Sequence, residues 1–115
     1  STFWNDWTKY SFSSTNWNAR PLGVQIWALA YRSGEAWNEF GWSNAEFDAI
    51  LTEALATPDT EKRRALMAKG QKLIQDEGVT IQPYWRSLYN HTKEGLEGAA
   101  HHIGFEYHPA RMAWT

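Results

Sequence analysis

The run Ser43-Asn44-Ala45-Glu46-Phe47-Asp48-Ala49-Ile50-Leu51-Thr52-Glu53-Ala54-Leu55-Ala56 is an amphipathic helix written out in full. Phe47, Ile50, Leu51, Ala54 and Leu55 recur at i, i+3, i+4, i+7 and i+8, the spacing of one helical face. Ser43 through Glu46 reads as a capping box, with a hydroxyl at the start and a carboxylate three positions on. Pro58 separates this helix from a second. Asp59 is a good N-cap, and the second helix runs to about Glu77 with Leu66, Met67, Gly70, Leu73 and Ile74 on its apolar face. Gly78 is the expected C-terminal stop. Two consecutive helices, 44–56 and 59–77, argue for a mixed α/β domain and against an all-β one.

Upstream, Pro21 to Tyr31 is helical in pattern, with Pro at the first helical position. Val24, Ile26, Trp27, Leu29 and Ala30 cover most of its circumference, so this helix is expected to be buried on more than one side and Trp27 to be core. Arg32-Ser33-Gly34 ends it, and residues 35–42 form a loop rich in aromatics and amides. Residues 1–9 read as a loop or irregular strand, and Tyr10 to Trp17 as a strand polar on one face. Downstream, Val79 to Gln82 alternates like a strand, Trp85 to Asn90 suits a second extended run, Gly95 and Gly98 bracket a turn, and residues 103–107 alternate as a short strand.

The 115 residues suffice for one core. Eight Trp in so short a chain is several times ordinary usage. Such rings fill cores and interfaces and line binding clefts. With net charge −2 and no stripe of Lys or Arg, nucleic acid is not an expected partner. No run approaches a membrane span, and no signal-peptide pattern is present. Without cysteine there are neither disulfides nor thiolate metal sites. The start Ser-Thr-Phe-Trp reads as a start inside a larger protein.

The candidate site lies at Asn16-Trp17-Asn18-Ala19-Arg20-Pro21, where the expected strand hands over to a helix N-terminus. Free N–H groups, a partial positive charge and an Arg fork favour an anionic group there, and Trp17 supplies a flat apolar wall. Trp37 is a further stacking surface, and Asn18 and Asn38 are amide donors for a solute. The alternatives are structural: core packing for the indoles, local turn bonds for the amides, and an ion pair with a protein carboxylate for Arg20. Tyr31 and Arg32 are secondary candidates.

No catalytic motif is present, so the chain is not expected to be an enzyme, and no cofactor is implied. His101, His102, His108 and Glu106 invite a metal reading. On a strand, however, neighbouring His side chains point to opposite faces, and His102 and Glu106 lie too far apart for one ion. No metal site is expected from this pattern. A carbohydrate-binding module, stacking sugars on exposed Trp and Tyr, is the rival function. Most such modules are β-sandwiches, which the two helices disfavour.

In order and spacing, the chain resembles the C-terminal part of the family 5 extracellular solute-binding proteins, the peptide-type receptors of bacterial ABC importers. The resemblance rests on Trp17-Asn18-Ala19-Arg20-Pro21, Tyr31-Arg32-Ser33-Gly34-Glu35-Ala36-Trp37-Asn38, Ser43-Asn44-Ala45-Glu46-Phe47-Asp48, the helix with Asp59, Lys62, Arg63 and Arg64, and Gln75-Asp76-Glu77-Gly78-Val79-Thr80-Ile81-Gln82-Pro83-Tyr84. It implies a type II periplasmic-binding-protein-like fold of two lobes that close on a solute. Residues 1–90 would end the C-terminal lobe, and 91–115 would return to an N-terminal lobe whose bulk lies outside this chain. Such a segment is expected to leave apolar surface uncovered and to self-associate. The resemblance also implies a small polar or peptide-like solute, a membrane permease as partner, and a periplasmic location, or an extracellular anchored one in a Gram-positive source. In peptide-binding members, an Asp three residues after this Trp pairs with the ligand's α-ammonium. Here that position is Arg20, which points instead to a carboxylate or an electron-rich group.

Overall fold

The computed structural model describes residues 3–102 and 106–115. Among the described residues four helices and one small ladder are formed: α1 (Phe3–Asp6), α2 (Gly23–Ala30), α3 (Ala45–Ala56), α4 (Thr60–Asp76), β1 (Leu96–Glu97) and β2 (Ala113–Trp114). Single 3-10 turns cover Trp7–Lys9 and Pro109–Arg111. The chain divides into two compact units. The first comprises the residues up to Trp17 together with Leu22–Ile81, and the second comprises Asn18–Pro21 with Gln82–Thr115.

In the first unit the core is built from α2, α3 and α4. Val24, Ala30, Phe47, Leu51, Ala54 and Ile74 are its buried apolar residues. Trp27, Leu66, Met67 and Leu73 pack around it half-buried. Phe47 is the hub: its ring lies 5.1 Å from Trp27 and 4.9 Å from Trp42, centroid to centroid. Edge and tilted ring contacts of this kind add to area burial. Gly70 lets α4 approach that cluster, because a Cβ there would lie 2.7 Å from the Trp27 ring. The expected faces of both long helices are thus the packed ones. The exception is Leu55, which stays exposed at the rim.

The helix ends follow from local chemistry. Asn44, one residue later than the capping box placed it, is the N-cap of α3, and its Oδ1 accepts from the Phe47 N–H at 2.9 Å. Ser43 is displaced from that role because its hydroxyl donates to Ser33 Oγ. Asp59 caps α4 through the Lys62 N–H at 2.8 Å. At its far end, Gly78 takes φ 62°. The Val79 N–H then reaches the Ile74 carbonyl and the Gly78 N–H that of Gln75. This is the Schellman closure, and it needs a residue free to adopt the left-handed region.

Other expectations change. Residues 3–9 are helical turns rather than loop or strand, and Tyr10–Trp17 is irregular. The reason is that Thr15 and Trp17 bond to the Glu39 side chain instead of entering a ladder. Helix α2 begins at Gly23 with Leu22 at its N-cap, so Pro21 lies outside it. The runs 79–82 and 85–90 form no strand. A strand requires a paired neighbour, and the division of the chain falls between Ile81 and Gln82.

In the second unit the ladder is antiparallel, Leu96 opposite Trp114 and Glu97 opposite Ala113. Gly98, at φ 75°, closes β1, and a Cβ there would run into the Arg111 carbonyl. The strand expected at 103–107 falls mainly on 103–105, outside the described residues. No helix among the described residues is long and apolar enough to cross a membrane.

Candidate functional site

The aromatic wall belongs to the first unit. Trp4, Trp7, Trp17 and Trp37 follow one another at 6.3, 6.1 and 5.9 Å between successive ring centroids. Trp37, at the end of the series, is 48% exposed, so much of its ring remains available for stacking. What holds the series is Glu39. Its carboxylate accepts from Trp17 Nε1 at 2.9 Å and from Thr15 Oγ1 at 2.6 Å. Bonds to an ionised acceptor are the stronger kind, so this one side chain fixes the orientation of the Trp17 indole. Glu39 was not distinguishable in the sequence, because its partners lie more than 20 positions away.

Glu39 acts on a second ring. The Tyr31 hydroxyl is held above its ordinary value of 10.0, first by burial, then by the negative charge of Glu39, with a hydrogen bond involving Thr80 acting the other way. The Tyr31 ring packs 4.7 Å from Phe40. It also lies 6.5 Å from the Phe47 ring, centroid to centroid.

Asn38 is bound into its own loop. Its Nδ2 donates to the carbonyls of Arg32 at 3.1 Å and Trp42 at 2.7 Å. Its Oδ1 is buried and has no hydrogen-bond partner among the described residues. The same amide borders an open hollow of ≈ 260 Å³ lined by Gly34, Glu35, Asn38, Gly41, Trp42 and Ser43. A buried acceptor without a partner is costly.

Glu77 is a second organising acid that sequence reading missed. Its two carboxylate oxygens accept from Trp42 Nε1 and Asn44 Nδ2, each at 2.5 Å. Ser33 completes the frame: its N–H donates to Asp48 Oδ1, and its Oγ accepts from the Asn44 N–H. The loop between α2 and α3 is thereby tied to the start of α3 and the end of α4.

Trp17 and Trp37 are brought together, and Asn38 lies in the same unit. Asn18 and Arg20 belong to the second unit. Within that unit Arg20 Nη1 donates to the carbonyls of Ala19 at 3.2 Å and Asn18 at 3.4 Å. No carboxylate of that unit forms an ion pair with it among the described residues. The expected strand before it is absent, residues 10–20 being irregular, while α2 begins three residues later at Gly23.

The histidines differ from expectation. His102, Glu106 and His108 offer ligand atoms that all lie within 4.8 Å of one another. The strand spacing that separates His102 from Glu106 does not apply, because residues 101–102 and 106–108 are in no strand.

Two curated relatives align over nearly the whole chain. It is 27% identical over 98 residues to the dipeptide-binding protein DppE of Bacillus subtilis (strain 168), covering 84% of this chain and 18% of that protein. It is 26% identical over 98 residues to the probable deoxycholate-binding periplasmic protein YgiS of Escherichia coli (strain K12), covering 85% of this chain and 18% of that protein. The chain thus spans less than a fifth of the length of these relatives. No family model matches, and no solved structure matches. Both relatives are named as binding proteins and neither as an enzyme, in line with the reading of this chain as a non-enzyme. The mixed architecture, mainly helical with one two-stranded ladder, is compatible with a piece of such a protein.

Proposed function

We propose that this chain is the C-terminal part of the solute-binding component of a bacterial ABC importer, of the family 5, type II kind. The observation that carries this reading is the similarity over 98 residues to two proteins named for the solutes they bind. On this reading, residues 1–90 end one lobe and 91–115 return toward the other. The solute is enclosed when the lobes close, a state favoured by its higher affinity, and is handed to a permease. The location is periplasmic, or extracellular and anchored in a Gram-positive source.

Trp17, Asn18, Arg20, Trp37 and Asn38 are the residues assigned to the solute. Trp17 and Trp37 offer stacking surface, and the amides offer hydrogen bonds. Arg20 takes the anion. A dipeptide and deoxycholate, the solutes in the two relatives' names, have a carboxylate in common. That is the group an Arg fork recognises, and the reversal from Asp to Arg at this position favours it over an ammonium. A sugar-binding β-sandwich lacks support, since the described strands are two residues each.

The test is calorimetric titration of the longer protein with a dipeptide and with its C-terminal amide. A charge-assisted bond contributes about 1.5–3 kcal/mol. Amidation and Arg20→Ala are therefore each expected to weaken binding roughly tenfold or more, and not to add. Equal affinity for acid and amide, with a silent Arg20→Ala, overturns the assignment.

A further inference from the structure

We infer that His102, Glu106 and His108 form a surface site for a divalent ion of the zinc class, independent of the solute-binding reading. Glu106 Oε2 lies 3.7 Å from His108 Nε2 and 4.0 Å from His102 Nδ1. The two imidazoles stand edge to face, with centroids 5.0 Å apart and planes at 89°. One carboxylate oxygen therefore sits between two ring nitrogens. All three ligand atoms fit within 4.8 Å.

These separations suit an ion that draws its ligands inward. Zinc bonds of about 2.0–2.2 Å in tetrahedral geometry place ligand atoms about 3.3 Å apart. The side chains are 35–65% exposed, so an ion can reach all three from solvent. Two imidazoles and a carboxylate are a donor set for zinc, nickel or copper rather than for magnesium or calcium, which favour all-oxygen sites. Three protein ligands leave the fourth tetrahedral position to water or to a donor from outside. The Pro109–Arg111 turn follows His108 directly, and its Arg111 N–H bonds the His108 carbonyl at 2.9 Å. That turn fixes the backbone of one ligand without involving its ring.

The experiment is titration of the protein with ZnCl₂, followed by calorimetry and by the imidazole resonances in NMR spectra, with MgCl₂ in parallel. One Zn²⁺ per chain is expected, moving the His102 and His108 resonances and not that of His91, and released on acidification because the ligands must be deprotonated. Loss of an outer-shell partner alone typically costs roughly tenfold or more in metal affinity, so His102→Ala, His108→Ala and Glu106→Gln are each expected to cost at least that much. His91→Ala is expected to change nothing. The resonance shifts of the unaltered protein make the test independent of whether a variant folds. Absence of saturable Zn²⁺ binding, equal response to Mg²⁺, or resonance shifts at other histidines overturns the site.

Discussion

Glu39 governs two aromatic rings by different means. It accepts the Trp17 indole N–H and, through its charge, opposes ionisation of the Tyr31 hydroxyl. The pH consequence has a definite sign. The folded Tyr31 value is raised, so the stability it contributes is fully present below the ordinary value of 10.0 and is lost as pH rises from there through the folded value. Thermal unfolding at pH 9 and at pH 11 checks this. The parent is expected to lose more stability over that interval than Tyr31→Phe, in which the titrating hydroxyl is gone. Equal losses would show that the hydroxyl is not held by its surroundings. Neither role of Glu39 was legible in the sequence. An isolated Glu between Asn38 and Phe40 carries no periodic or motif signal, and its partners arrive from distant positions. Trp17 and Trp37, by contrast, stood out by residue type alone.

At the scale of elements, legibility follows the range of the determining interactions. Helices α3 and α4 were readable because their stripe, their N-cap and the Gly78 stop all lie within a few residues of what they decide. The Tyr10–Trp17 strand was misread because alternation there reflects bonds to Glu39 rather than a ladder. β1 and β2 are two residues each, too short for a period of two to register, and they pair across a long separation. The His102, Glu106 and His108 grouping was hidden by the assumption of extended geometry. The junction of α3 with α4 gives a direct prediction. Asn44 caps α3 through Oδ1 and reaches Glu77 through Nδ2. Asn44→Ala removes both, and loss of an N-cap costs about 1 kcal/mol. A fall in Tm of about 4–8 °C is expected for a domain of this size, with helical circular dichroism retained below the transition. An unchanged Tm would mean that the cap and the Glu77 bond contribute nothing measurable.

For the whole molecule, the relevant fact is proportion. The chain matches 18% of the length of each of two far longer proteins, and large apolar side chains remain uncovered: Phe12, Ile81, Trp85, Tyr89 and Tyr107 are each at least 80% exposed. On the function proposed above, the rest of the longer protein is what such side chains would meet. Small-molecule sites enclose most of their ligand's surface, so a solute that meets only this part should be held poorly. The decisive measurement is the affinity of one solute for the isolated 115-residue chain and for the longer protein containing it, determined side by side by calorimetry. The account predicts binding by the isolated chain about a hundredfold weaker or undetectable, since much of the enclosing surface is removed. Equal affinity in the two would contradict it, because the 115 residues would then be a complete binding domain.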